Sequence, residues 1–274
     1  MQTSAGMTFE GLPFEGYGDG IGSAATVLRA NATSSGLTAP VPTCPGWSVA
    51  DLVRHQGIVH RWAAGLLSGE EPDARVHEAA AESVTNLLDW FDEGATDLLD
   101  VLSKTREDWD GWFFLRSDRS PRDGWARRQC HETTIHAVDA MAARLGRTPM
   151  ADEVWFSPRL AADGIDELVM SFAPRRSSGL RSDEPVTIEL TAADTGDRWS
   201  VEVGAERATA VRGAADSAVD VRWTGPARDL YLLVWNRLGQ RDGSGASRIQ
   251  IEHLTDAGAT ARGLWQKAMK VVWS

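Results

Sequence analysis

Three things are scarce in this 274-residue chain, and each scarcity excludes a class of function. Cysteine occurs twice, at Cys44 and Cys130, which in a reducing compartment stands for two thiols rather than a disulfide framework. Apolar runs stay short of the roughly 20 residues that a bilayer-crossing helix needs. The opening "MQTSAGMTFEGLPFEGYGDG" also lacks the basic-then-apolar layout of a secretory leader. The expected product is a soluble cytoplasmic protein without a membrane partner. Basic residues are outnumbered, 28 Lys and Arg against 39 Asp and Glu, giving a formal net charge of -11. No basic stripe compensates for that excess, which speaks against nucleic acid as a partner.

What is present is enough apolar material, 42% of residues, to fill the cores of two modest domains. The first half reads as helices. Residues 21–31 suit a short one, and "PVPTCPGW" then breaks the chain before Ser48 and Asp51, an S-x-x-D start signal for a helix over 48–67. Residues 79–104 form a third amphipathic segment, with Gly94 as a candidate kink. A loop spans 105–124, and a fourth helix follows and ends on Gly146. A short helical stretch over 157–173 leads to a linker by composition at 174–185.

From Val186 the pattern alternates apolar and polar residues in four segments separated by turn residues, as in an antiparallel sheet. A helix over 226–240, a strand near 248–255 and a last helix over 261–273 complete an α+β second half. The expected architecture is a four-helix bundle over 1–173, a linker over 174–185 and a small α+β domain over 186–274.

The segment "CHETTIH", Cys130 to His136, resembles the H-E-x-x-H of zinc proteases, but its second histidine comes one residue late. Helical spacing decides what it offers. At about 100° per residue, Glu132 and His136 share a face, about 40° apart, whereas His131 lies about 140° from His136 and Cys130 about 200° from Glu132. A third donor is needed, and the second helix supplies His55 within its apolar stripe of Leu52, Val59, Trp62, Ala63 and Leu66, with His60 at the margin.

His55, Glu132 and His136 form a His2Glu set, the usual number of protein ligands for a catalytic zinc that keeps one position open. Nickel or iron would accept the same donors. Asp139 projects from nearly the same face and suits a residue that orients a ligand or acts beside it. The plainer readings are a hydrogen-bonded core histidine and a solvated Glu/His pair. Cys44, in a turn between two prolines, has no neighbour in sequence to activate it as a nucleophile and reads as a buried turn residue, and of the twelve tryptophans Trp62, Trp90, Trp223 and Trp235 sit in patterns that read as core.

The blocks "TCPGWSVADLVRHQGIVHRW", "RRQCHETTIHAVDA" and "LAADGIDEL" together resemble the mycothiol-dependent maleylpyruvate isomerase family of actinobacteria. That resemblance implies a DinB-like four-helix bundle binding a divalent metal, usually zinc, through His55, Glu132 and His136. It also implies a sterol-carrier-like α+β domain and places Arg237 where that family has an arginine associated with cofactor or substrate. Here Asn236 precedes it instead of the usual glycine.

The implied cofactor is mycothiol, whose thiolate adds to an electron-poor alkene. It then either leaves after bond rotation, as an isomerase requires, or stays, as in an S-transferase. Other classes consistent with the residues are a ligand or lipid carrier with a structural metal and a metal-dependent hydrolase.

Overall fold

The computed structural model describes residues 9–71, 73–239 and 248–269. The chain divides into two compact units, Pro13–Pro149 and the combination of Met150–Ser274 with Met1–Leu12. The reading of the sequence divides the chain at 173, so the helix over 158–167 falls on the other side of the boundary.

The first unit is helical: α1 (Phe14–Ser35), α2 (Val49–Leu67), α3 (Arg75–Glu82), α4 (Leu87–Lys104) and α5 (Pro121–Leu145). Helix α1 packs against α5 and α4, and α2 against α4 and α5. Helix α1 is twice as long as expected. Its glycine-rich start lowers helix propensity, but Tyr17, Ile21, Ala24 and Leu28 recur at helical spacing and all are fully buried, so packing outweighs propensity.

The segment expected as one helix over 79–104 is two. The break falls before Asn86, whose side chain caps α4 by accepting from the Asp89 amide. Gly94 is not a kink. It lies inside unbroken α4, where a Cβ would run into the Arg61 guanidinium of α2. Part of the expected loop over 105–124 also belongs to a helix. Ser120 caps α5 through the Asp123 amide and Pro121 occupies its first turn.

In the second unit α6 (Pro158–Glu167) runs into a π-helical turn over Leu168–Phe172. Strands β1 (Val186–Ala192), β2 (Arg198–Val203), β3 (Thr209–Arg212), β4 (Val221–Gly225) and β5 (Gln250–His253) follow, with α7 (Ala227–Val234) and α8 (Asp256–Ala268). Residues 174–185, read as a linker, carry a fully buried Leu180 and a bond from the Ser182 amide to the Gly204 carbonyl.

The sheet order is β3-β2-β1-β4-β5. The expected antiparallel sheet is mixed, because β4 crosses to the far side of β1 and pairs with it in parallel, Ile188 opposite Val221. Alternation along a strand reports its two faces and not its partner's direction.

Helix α7 ends at Val234 rather than reaching 240, since Asn236 takes a left-handed backbone, φ 58°. Gln240 and residues 270–273 of the last expected helix lie outside the described residues. Among the described residues, no helix is long and apolar enough to cross a membrane.

Candidate metal centre

Helices α2 and α5 carry the three converging side chains. Helix α2 starts at a capping box: the Ser48 hydroxyl accepts from the Asp51 amide and the Asp51 carboxylate accepts from the Ser48 amide at 2.9 Å. That fixes the register of His55 two turns in. Helix α5 is unusual in its burial. Every residue from Gly124 to Ala142 is buried, yet the stretch includes Arg127, Arg128, Gln129, His131, Glu132, Thr133, His136 and Asp139. Polar groups removed from water need partners, so such a helix is a framework of specified contacts rather than a packing element.

The structure brings His55, Glu132 and His136 together. Glu132 Oε1 lies 3.4 Å from His55 Nε2 and 3.2 Å from His136 Nε2, and one donor atom from each of the three falls within 4.8 Å of the others. The two imidazoles are 4.9 Å apart and close to perpendicular, at 77°. The Glu132 side chain is 3% exposed, His136 10% and His55 19%, so the cluster is buried at its base and open at His55.

The other oxygen of Glu132, Oε2, accepts from Arg128 Nη2 at 2.9 Å. Asp139, fully buried, accepts from His136 Nδ1 at 3.0 Å and from the Cys44 thiol at 3.3 Å, both at Oδ2. In the neutral ring, a proton on Nδ1 leaves Nε2, the nitrogen beside Glu132, as the one able to offer a lone pair.

Charge follows from these contacts. For His136, burial opposes protonation, but the bonds to Asp139 and Glu132 and their charges outweigh it and raise the imidazole to about 9. Burial likewise opposes ionisation of Glu132, but the bonds to His136 and His55 and the charge of Arg128 hold its carboxyl well below the ordinary range. Burial depresses His55, only partly offset by its contact with Glu132. A dense group of donors thus surrounds one carboxylate oxygen, an arrangement whose chemistry suits a divalent cation of borderline hardness.

His60, placed by the sequence at the margin of the stripe, is fully buried. Thr133 Oγ1 donates to the Gln129 carbonyl at 2.7 Å and accepts from Gln56 Nε2 at 3.2 Å, so His60, 2.9 Å away, donates to it from Nε2. Burial, with the charge of nearby Arg61, lowers His60 to about 3, and the ring is neutral. His131 and Cys130 are also fully buried and lie outside both clusters of potential ligands among the described residues.

The sequence reading passed over three neighbours. Cys44 is not an isolated turn residue, since its thiol reaches Asp139 and, with Asp139 and His136, forms a second group of converging donors. Trp47 borders the cluster: its ring lies 5.1 Å from that of His55 and 6.1 Å from that of His136. Arg128 is the third, through its bond to Glu132 Oε2. The available signal was an arginine one helical turn before the glutamate on a helix already assigned inward-facing ligands.

Loop residues Pro40–Ser48 deliver Cys44 and Trp47 through a bridge between Pro40 and Ser48, a bond from the Val41 amide to the Trp47 carbonyl, and Gly46 at φ 89° in the turn. Arg237 belongs to the other unit. It follows α7, its amide donates to the Leu232 carbonyl at 2.6 Å and its Nη1 to the Trp235 carbonyl at 3.0 Å.

Residues 21–141, which contain every member of the cluster, match the family model described as the mycothiol maleylpyruvate isomerase N-terminal domain. Two solved structures share the fold. One is a mycothiol-dependent maleylpyruvate isomerase, with a TM-score of 0.57, and the other its histidine-to-alanine mutant, at 0.59. Each is 14% identical to this chain and covers 88% of it and 93% of its own length. No curated protein sequence matches the chain.

Proposed function

From the match of residues 21–141 to the mycothiol maleylpyruvate isomerase N-terminal domain, we propose that the chain belongs to that family and is a cytoplasmic, metal-dependent enzyme using mycothiol as its thiol cofactor or cosubstrate. It isomerises or S-conjugates a small electrophile. In this reading the helical unit is a DinB-like four-helix bundle and the second unit a sterol-carrier-like domain. The metal, zinc by preference, is held by His55, Glu132 and His136. The observation that carries the reading is the convergence of two imidazole Nε2 atoms on one oxygen of a buried carboxylate.

His55, Glu132 and His136 would hold a divalent ion, which would supply the field that favours the thiolate form of a thiol near neutral pH. The rest is done by the chain. Asp139 holds His136 through Nδ1 and so presents Nε2. His55, the most exposed of the three, marks the side from which small molecules enter, and the Trp47 ring borders that entry beside both imidazoles. Arg237 is proposed to contact an anionic group of the substrate or cofactor.

The test is elemental analysis of untagged protein purified without added metal, wild type beside His55→Ala, followed by assay with mycothiol and electron-poor alkenes. About one equivalent of metal is expected in wild type for a single three-ligand site, with metal and thiol turnover both lost in the variant. A His55→Ala protein that keeps its metal and its rate refutes the assignment, and turnover without thiol redirects it to hydrolysis.

A further inference from the structure

Arg128 is fully buried and lies one turn before Glu132 on α5. A guanidinium without water is costly to keep in a protein interior, and an apolar side chain of similar volume is usually no worse for stability. Its placement therefore needs a reason beyond packing, and the carboxylate it touches provides one. Glu132 has two equivalent oxygens, each able to accept bonds or bind a cation. Here they are divided: Oε2 accepts from Arg128 at 2.9 Å, and Oε1 lies 3.4 Å from His55 Nε2 and 3.2 Å from His136 Nε2.

Resting on the metal-site reading above, we propose that Arg128 is a positioning residue that restricts Glu132 to a single ligand oxygen and thereby keeps a coordination position open for the thiol. Arg128 itself touches neither the ion nor the substrate. With Oε2 engaged, the carboxylate cannot rotate to offer both oxygens to a cation, and the paired guanidinium offsets one negative charge among the Glu132 and Asp139 carboxylates. A carboxylate freed of this partner would chelate through both oxygens and occupy the position that the incoming sulfur needs.

Cobalt(II) reports coordination number through the intensity of its visible absorption, and the probe is cobalt alone added to the metal-free full-length protein. Wild type is expected to take up cobalt with the intense bands of a four-coordinate site. Arg128→Met should bind cobalt with bands severalfold weaker, as a higher coordination number requires, and should show a raised KM for the thiol. Arg128→Lys, nearly the same length as methionine but cationic, should recover most of the wild-type spectrum, which a packing role would not produce.

If Arg128→Met fails to fold, Arg128→Gln is measured against the same criterion. A wild-type spectrum in the folded neutral variant overturns the proposal while leaving the metal site standing. Absence of cobalt uptake by wild type overturns the metal-site reading and this proposal with it.

Discussion

Helices α5 and α7 are both buried along most of their length, and they are buried for opposite reasons. In α7 the inward material is Leu230, Tyr231, Leu232, Leu233 and Val234, and its one buried acid, Asp229, is paired with Arg248. Its contribution is area removed from water. In α5 the interior holds Arg128, Glu132, Thr133, His136 and Asp139, each hydrogen-bonded to another polar group of the helix. A buried apolar helix tolerates exchange of one hydrophobic residue for another, whereas a buried polar one leaves a charge or a donor stranded when any member changes.

The sharpest break in that contrast is Glu132→Gln. It removes the negative charge paired with the buried Arg128 guanidinium, so the metal-free protein should lose about 3–5 kcal/mol in urea denaturation, and elemental analysis should find the metal gone. Leu232→Ala in α7 should cost about 2–5 kcal/mol by the same denaturation while metal content stays at the wild-type level. A loss of metal in that variant would show that the two helices are not independent.

Asp139→Asn should act more narrowly, lowering metal affinity about 10–100-fold in competition with a chelator, as removal of a ligand's orienting partner does, with a small change in stability.

A contrast that depends on pH sets two histidines against each other. The folded value of His60 is about 3 and that of His136 about 9, on either side of an unfolded value near 6.5. His60 therefore withdraws stability as pH falls below about 6.5 toward 3, because the unfolded chain binds the proton and the folded one does not. His136 in the metal-free protein contributes stability that is complete below about 6.5 and is lost as pH rises through about 9. Thermal midpoints of wild type and His60→Gln across pH 4 to 7 should converge at the acid end, and parallel curves would remove His60 from the account.

How much of this was legible depended on range. The Ser48 cap, the shared face of Glu132 and His136 and the exclusion of His131 are local properties of a helix, readable from spacing. His60 was misplaced because α2 is covered by both α4 and α5, which buries a wider arc than one apolar stripe indicates. Cys44 and Trp47 were missed because they meet α5 across some 90 residues of chain, a contact that no periodicity encodes. Gly94 suggests a kink from sequence alone for a related reason, since what it provides is room for Arg61 of a neighbouring helix. The direction of β4 was hidden because pairing partners lie outside the strand itself.

The closed loop from Pro40 to Ser48 also has a meaning for protein engineering. Its ends are fastened by backbone bonds, Val41 to Trp47 and Val49 to Ala39, and it runs directly into the helix that carries His55. Its tip can therefore be rewritten as a cassette, with Cys44 and Trp47 randomised together, while the anchoring bonds hold the frame. A library built on those two positions would sample new shapes for the mouth of the centre while the three donor side chains stay on helices the library does not touch.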